Sequence, residues 1–337
     1  MRRVARWLDG ANLFLPGLMF SPYYDRLDKQ PGIFVEAMNS RLSRLLGIGS
    51  SSRTDFDRRW VATSLPTKSN LIENEASVPP IELLIVAAEK DFWLLKDVSS
   101  AAIRQSVNPI ESLSLVIPAA GRTRLPNLEE LGVDIHVINE ESLLSEEIFE
   151  DLKQTMGSRS GWLLQQYLTI KFVQESKAAG VLTLDADTFL LQKTLWLDSK
   201  GRQVLHVSSE FVANYYKYLH SLGVSEEVPD ETHVTHHMLM QPALLRAIFK
   251  SAGVSGSEEV LRRALAYSKF FGQTEFCLEF ELYAQGCKKL FRDRLELLKF
   301  GNRSVRIDKQ EAERDLKAIE KSAKTKFRSV SAHSYAQ

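Results

Sequence analysis

The chain changes texture near residue 80. From Ile81 onward, short apolar runs recur, each followed by polar, turn-forming residues that include Gly121 and Asn139. Leu83 to Ala88 is continuously apolar, the pattern of a strand buried on both faces. Leu113 to Ile117 and Val133 to Ile138 repeat it. Helical texture follows over Leu144 to Thr155 and over Trp162 to Ser176, where Leu164, Leu168 and Phe172 recur every fourth residue. Gly180 introduces another strand, Val181 to Leu184, which ends abruptly in Asp185 and Asp187. Phe189 to Trp196 and Gln203 to Val207 read as a hairpin turned by Asp198-Ser199-Lys200-Gly201. Glu210 to Leu219 reads as a helix and His233 to Met240 as a strand. Pro242 suits the first position of a helix reaching Lys250. Further helices are predicted from Ser257 and over Glu275 to Gln285, the second ended by Gly286. A charged helix from Asp308 to about Lys324 and a short strand, Phe327 to Ser331, close the pattern. Alternating strands and helices predict an α/β fold, its sheet mostly parallel with helices on both faces. Ligands of such sheets bind beyond the carboxyl ends of the strands.

Residues 1 to 78 lack this alternation. They mix aromatics with the Gly-Ser run Gly47 to Ser52, and Ser64 to Pro80 is polar and Pro-punctuated. The expected division is an N-terminal appendage and linker over 1–78 and one catalytic-sized domain over 79–337. Met1 to Arg6 is basic and Phe14 to Phe20 fairly apolar, but Asp9 and Pro16 interrupt any signal-peptide core. No run of 18 apolar residues offers a membrane span. A membrane would therefore be met only peripherally.

Composition narrows the partners. The 337 residues carry 43 basic and 43 acidic side chains, and 44% are hydrophobic, as in an ordinary globular protein. Zero net charge argues against a nucleic-acid partner, which needs a basic field. Two cysteines, Cys277 and Cys287, are too few for a disulfide framework or a zinc cluster, so a reducing, cytoplasmic compartment is expected.

The chemistry concentrates where the Val181 strand ends. Carboxylates at i and i+2 of an extended segment share a face and reach one point. Asp185 and Asp187 thus suit a hard divalent cation, Mn2+ or Mg2+, of the kind that bridges protein carboxylates to a diphosphate. Glu279 and Glu281 lie among Phe276, Phe280 and Tyr283, an apolar setting that raises a carboxylate's pKa toward general-base use. On a helix the two would point in different directions. In the predicted strand, His236 faces one side and His237 the other, together with His233. Their spacing is not that of a zinc protease.

Four segments together resemble bacterial glycosyltransferases of the GT-A fold: Gly161-Trp162-Leu163-Leu164-Gln165-Gln166, Leu184-Asp185-Ala186-Asp187-Thr188, His233-Val234-Thr235-His236-His237 and Glu279-Phe280-Glu281-Leu282-Tyr283. More narrowly, they are similar to a group associated with surface-polysaccharide genes. The resemblance covers roughly residues 81 to 337 and implies a GT-A-like, Rossmann-like mixed sheet. It implies that Asp187 contacts the metal and that Asp185 helps hold the nucleotide sugar. It implies a C-terminal histidine as a third metal ligand, which His333 fits. Asp91, after the first strand, takes the place where such enzymes contact base or ribose. Arg122 and Arg124, after the second, would supply positive charge to phosphates. Trp162 offers a stacking face, and Gln165 and Gln166 offer amides for a sugar or ribose. His236 or His237 would contact acceptor or diphosphate, and Glu279, with Glu281 behind it, would be the catalytic base.

The expected function is therefore a metal-dependent transferase moving a sugar from a nucleotide-sugar donor to a glycan or lipid-linked acceptor. Its expected setting is bacterial surface polysaccharide biosynthesis, in the cytoplasm at the inner face of the membrane. A sugar-phosphate nucleotidyltransferase is a competing reading. Most such enzymes carry a Gly-rich phosphate loop after the first strand, and Ala87-Ala88-Glu89-Lys90-Asp91 has no glycine. A non-catalytic partner of a polysaccharide assembly complex is another, against which the intact Asp185/Asp187 pair counts.

Overall fold

The computed structural model describes residues 78–208, 211–227, 229–306 and 327–333, with five residues between 65 and 71. The predicted helix over 308–324 and nearly all of the predicted appendage lie outside the described residues.

A five-stranded sheet organises the domain. Its strands are β1 (Ile81–Val86), β2 (Ile110–Ile117), β3 (Asp134–Asn139), β4 (Val181–Leu184) and β7 (His237–Met240), in the order β3-β2-β1-β4-β7. The first four run parallel and β7 is antiparallel to β4, so the sheet is mixed and mostly parallel. β1 and β4 are the central strands with the most continuous apolar sequence, and Leu83, Ile85, Val181 and Leu182 are fully buried. One face is covered by α2 (Glu146–Met156), α3 (Ser160–Glu175), α4 (Ala213–Ser221), α5 (Pro242–Ser251), α6 (Ser257–Phe271) and α7 (Phe280–Leu290). The other carries α1 (Leu95–Gln105), together with Trp196 and Ala332. Local chemistry sets several boundaries. Ser145 accepts the Ile148 N–H to cap α2, Pro242 opens α5, and Gly272 ends α6 in the left-handed conformation.

Two smaller sheets flank this core. β5 (Thr188–Leu190) and β9 (Asn302–Arg306) both pair with β10 (Ser329–His333), antiparallel and parallel respectively. β6 (Gln203–Val207) pairs in parallel with β8 (Leu295–Lys299). The predicted hairpin forms only around its turn. The Asp198 carboxylate and Gly201 at φ 73° make that turn, and Leu197 pairs antiparallel with Gln203 across it, but β5 and β6 then join different sheets. Beside β8, the Pro66 carbonyl accepts the Lys299 N–H, so part of the predicted linker packs on the domain.

Three other boundaries differ from the pattern. β7 starts at His237, because His236 adopts φ 61°, which no strand accommodates. α7 starts at Phe280, with Glu279 as its N-cap residue. Gly286 does not end α7 but lies inside it, where a Cβ would sit 2.7 Å from an Ile248 methyl of α5. The glycine is there for close helix packing, not for termination.

Candidate active site

Asp185 follows β4 directly and leaves the sheet at its carboxyl end. Its N–H donates to the His236 carbonyl at 3.0 Å, and its own carbonyl accepts from Thr188 N–H at 3.0 Å. This four-residue turn aims the Asp185 and Asp187 side chains into a cleft of about 690 Å³. Val86, Ala88, Lys90 and Asp91 wall it at the end of β1. Arg159, Trp162, Gln165 and Gln166 wall it at the start of α3, and His236 and Glu279 complete it.

The Asp185 carboxylate is held on both oxygens. Gln165 Nε2 donates to Oδ1 at 3.2 Å and His236 Nδ1 lies 3.0 Å from Oδ2. With Asp185 ionised, its carboxylate only accepts and His236 Nδ1 is the donor of this contact. Asp187 is fixed through its backbone, whose carbonyl accepts the Ala332 N–H of β10 at 2.8 Å. The Thr188 hydroxyl lies 3.4 Å from Asp187 Oδ1 and 2.8 Å from the Ser331 hydroxyl. β10 thus braces the loop that carries both aspartates.

Glu279 enters the cleft from the N-cap of α7, only 6% exposed. Burial, and then the negative charge of Asp185, push its carboxyl up to about 8. The segment before it is pinned by Gln166, which donates to the Phe276 carbonyl at 3.2 Å and accepts the Leu278 N–H at 2.7 Å. With its amide spent on the backbone, Gln166 orients Glu279's neighbourhood more than it offers hydrogen bonds to a ligand. On the opposite wall Trp162 packs against Tyr215, ring centres 5.9 Å apart, with the Arg159 guanidinium 5.4 Å from its ring centre.

The cleft therefore gathers Asp91, Trp162, Gln165, Gln166, Asp185, Asp187, His236 and Glu279. Four other candidates lie elsewhere. Arg122 and Arg124 are exposed on the segment after β2, where Arg124 pairs with Glu89 at 2.6 Å. His237 is buried, its Nε2 3.0 Å from His206 Nδ1, between Trp196 and Phe300. Glu281 is fully buried and turned toward Thr232 and His233. The backbone of His333 ends β10 opposite Arg306, and its imidazole lies outside the described part of the chain. Sequence reasoning passed over Lys90, Arg159, Tyr215 and Cys277, all of which line the cleft. Lys90 and Cys277 stand within two residues of chosen ones, and Arg159 three before Trp162. Proximity was the signal available.

By sequence, no family model and no curated protein matches the chain. Among solved structures, the galactosyltransferase LgtC with donor and acceptor sugar analogues is similar over 76% of this chain and 88% of its own, at 14% identity and a TM-score of 0.43. An active-site mutant of LgtC gives 76%, 89%, 14% and 0.45. Mouse xyloside xylosyltransferase 1 gives 77%, 100%, 12% and 0.39.

A divalent cation fits the donor set. Hard carboxylate oxygens from Asp185 and Asp187 sit at a strand end and line one cleft. Among the described residues no cluster of three or more His, Cys, Asp or Glu forms a complete cage. Two carboxylates with the remaining positions left to substrate phosphate and water is the arrangement Mg2+ ordinarily takes.

Proposed function

We propose that this cleft is the active site of a metal-dependent glycosyltransferase of the GT-A type, transferring a sugar from a nucleotide-sugar donor to a glycan or lipid-linked acceptor. The observation that carries the reading is the convergence of Asp185 and Asp187, at the carboxyl end of a central parallel strand, with Glu279, Gln165 and His236 around one cleft. Mn2+ or Mg2+, held by Asp185 and Asp187, would offset the charge that gathers on the departing nucleoside diphosphate. The chain's own residues do the rest. Gln165 and His236 fix the Asp185 rotamer, so its geometry is set before any ligand arrives. Glu279 takes the proton from the acceptor hydroxyl, and its high proton affinity suits that task near neutral pH. Asp91 and Lys90 at the end of β1 face the nucleoside, and Trp162 supplies a flat wall for a ring. The setting we propose is bacterial surface polysaccharide synthesis, at the inner face of the membrane. No described helix is long and apolar enough to cross one.

The test is a thermal-shift screen of nucleoside diphosphates and nucleotide sugars with and without Mn2+ or Mg2+. A ligand at 100 times its Kd stabilises the fold by about 2.7 kcal/mol. A nucleotide-sugar shift that needs the metal and vanishes in Asp187→Ala supports the reading. A shift retained in Asp187→Ala, or none with any donor, removes it.

A further inference from the structure

We propose that Glu281 is a positioning residue that acts through His236, and not a second catalytic carboxylate. The inference rests on the active-site reading above and deepens it. Glu281 stands in the first turn of α7, two residues after Glu279, with its carboxylate wholly out of solvent. Three donors converge on it. Oε1 accepts the Thr232 hydroxyl at 2.8 Å and the His233 backbone N–H, and Oε2 accepts Gln285 Nε2 at 3.0 Å. Two of the three belong to the segment that leads into His236.

That segment is held at both ends and strained in the middle. His233 Nδ1 donates to the His206 carbonyl at 2.7 Å, and His237 begins β7 opposite Leu184. Between them His236 sits at φ 61°, a conformation that a β-carbon disfavours and that persists only where surroundings enforce it. The enforced result is functional geometry: the His236 carbonyl receives the Asp185 N–H while its ring reaches Asp185 Oδ2. Ser208 N–H also donates to the Thr232 carbonyl at 2.8 Å, so Glu281 adds a side-chain grip to a segment already tied at its start, and losing that grip should let the His236 ring shift from the carboxylate. The first turn of α7 therefore serves the cleft twice, with Glu279 facing it directly and Glu281 gripping the loop behind it. Partners that orient a metal-binding carboxylate in this way typically change metal affinity by about 10–100-fold.

The experiment uses the full chain and two readouts. The first is NMR of the histidine rings, with the His236 signals identified by their loss in His236→Gly, a residue that accepts the left-handed backbone. Glu281→Gln and Thr232→Val should both displace or broaden the His236 ring signals. Thr232→Val removes one donor only and keeps the test open if Glu281→Gln fails to fold. Unchanged His236 signals in the folded variants overturn the proposal. The second readout is Mn2+-dependent binding of a nucleoside diphosphate by calorimetry. Glu281→Gln should weaken it about 10-fold or more in the wild-type background and less than about twofold in His236→Gly, because the two act as one unit. Equal losses in both backgrounds show an independent role and also overturn it. If the wild type binds no nucleoside diphosphate, the active-site reading fails, and the ring signals still decide the role of Glu281.

Discussion

Acid should unfold this protein through three buried histidines. His206, His233 and His237 are all without meaningful exposure. Burial is the leading cause that holds His233 and His237 down to about 3 and His206 well below its ordinary value, with Lys288 and Arg328 adding like charge. The hydrogen bonds agree. His233 spends its Nδ1 proton on a carbonyl, and its Nε2 and that of His206 find no partner among the described residues. Between pH 6.5 and about 3 the unfolded chain binds protons on these rings and the fold does not, so stability is lost as pH falls. Well below 6.5 each ring costs about 1.4 kcal/mol per pH unit, and three cost about 4. Glu279 and Glu281 oppose this, because both are raised in the fold and retain protons that the unfolded chain releases above 4.5. Over pH 6.5 to 4.5 the glutamates therefore offset part of the histidine loss, and the slope stays below the three-ring figure. Below 4.5 the glutamates are protonated in both states and the full slope of about 4 kcal/mol per unit emerges. Each unit below pH 4.5 thus removes about 4 kcal/mol from a typical net stability of about 5–15 kcal/mol, so the fold should weaken steeply between pH 4.5 and about 3. Urea unfolding followed by tryptophan fluorescence at pH 7.5, 5.5, 4.5 and 4.0 measures this. His237→Phe keeps an aromatic ring against Trp196 and Phe300 but carries no proton, so the slope below pH 4.5 should drop by about a third whatever the variant's starting stability. An unchanged slope, or stability flat from pH 5.5 to 4.0, refutes the reasoning.

Three further outcomes follow from the geometry. Glu279→Gln should lower turnover by at least about 100-fold while changing donor affinity little, since a base acts in the transition state; steady-state kinetics with near-normal turnover would take Glu279 out of the mechanism. Gly286→Ala should cost about 1–3 kcal/mol in urea unfolding, because its Cβ meets three Ile248 carbons at 2.7–2.8 Å; a neutral result would mean α5 and α7 slide apart freely. Deleting residues 329–337 should weaken Mn2+ and donor binding together, since β10 braces Asp187, and unaltered metal affinity by calorimetry would show the brace to be idle.

The central sheet was legible because strands buried on both faces write themselves as mostly apolar runs, unbroken at Leu83–Val86 and interrupted only by Thr183 in Val181–Leu184. Asp185 and Asp187 were legible for the same reason, as charge interrupting such a run. Longer-range partners left no mark. The Asp198–Gly201 turn closes a short hairpin, Leu197 against Gln203, but the rest of β6 takes β8, some ninety positions on, as its partner. Gly286 obeys the rule for a helix end and serves a helix crossing instead, because only the approach of Ile248 distinguishes the two. His233 to His237 alternates like a strand, and the left-handed turn at His236 is imposed by Glu281 and Asp185 from other elements. Glu279 and Glu281 are equivalent in sequence. Which one faces the cleft is settled by the helix starting at Phe280.

The hydrogen bond from Ala332 to Asp187 joins positions 145 apart in sequence, 332 minus 187. At about 5–20 residues per second, roughly 7–30 s of synthesis separate the two. During that interval the aspartates already exist, on a loop whose bracing strand has not been made. The cleft is thus completed late: the nascent polypeptide has its sheet and its carboxylates long before it has a fixed geometry between them.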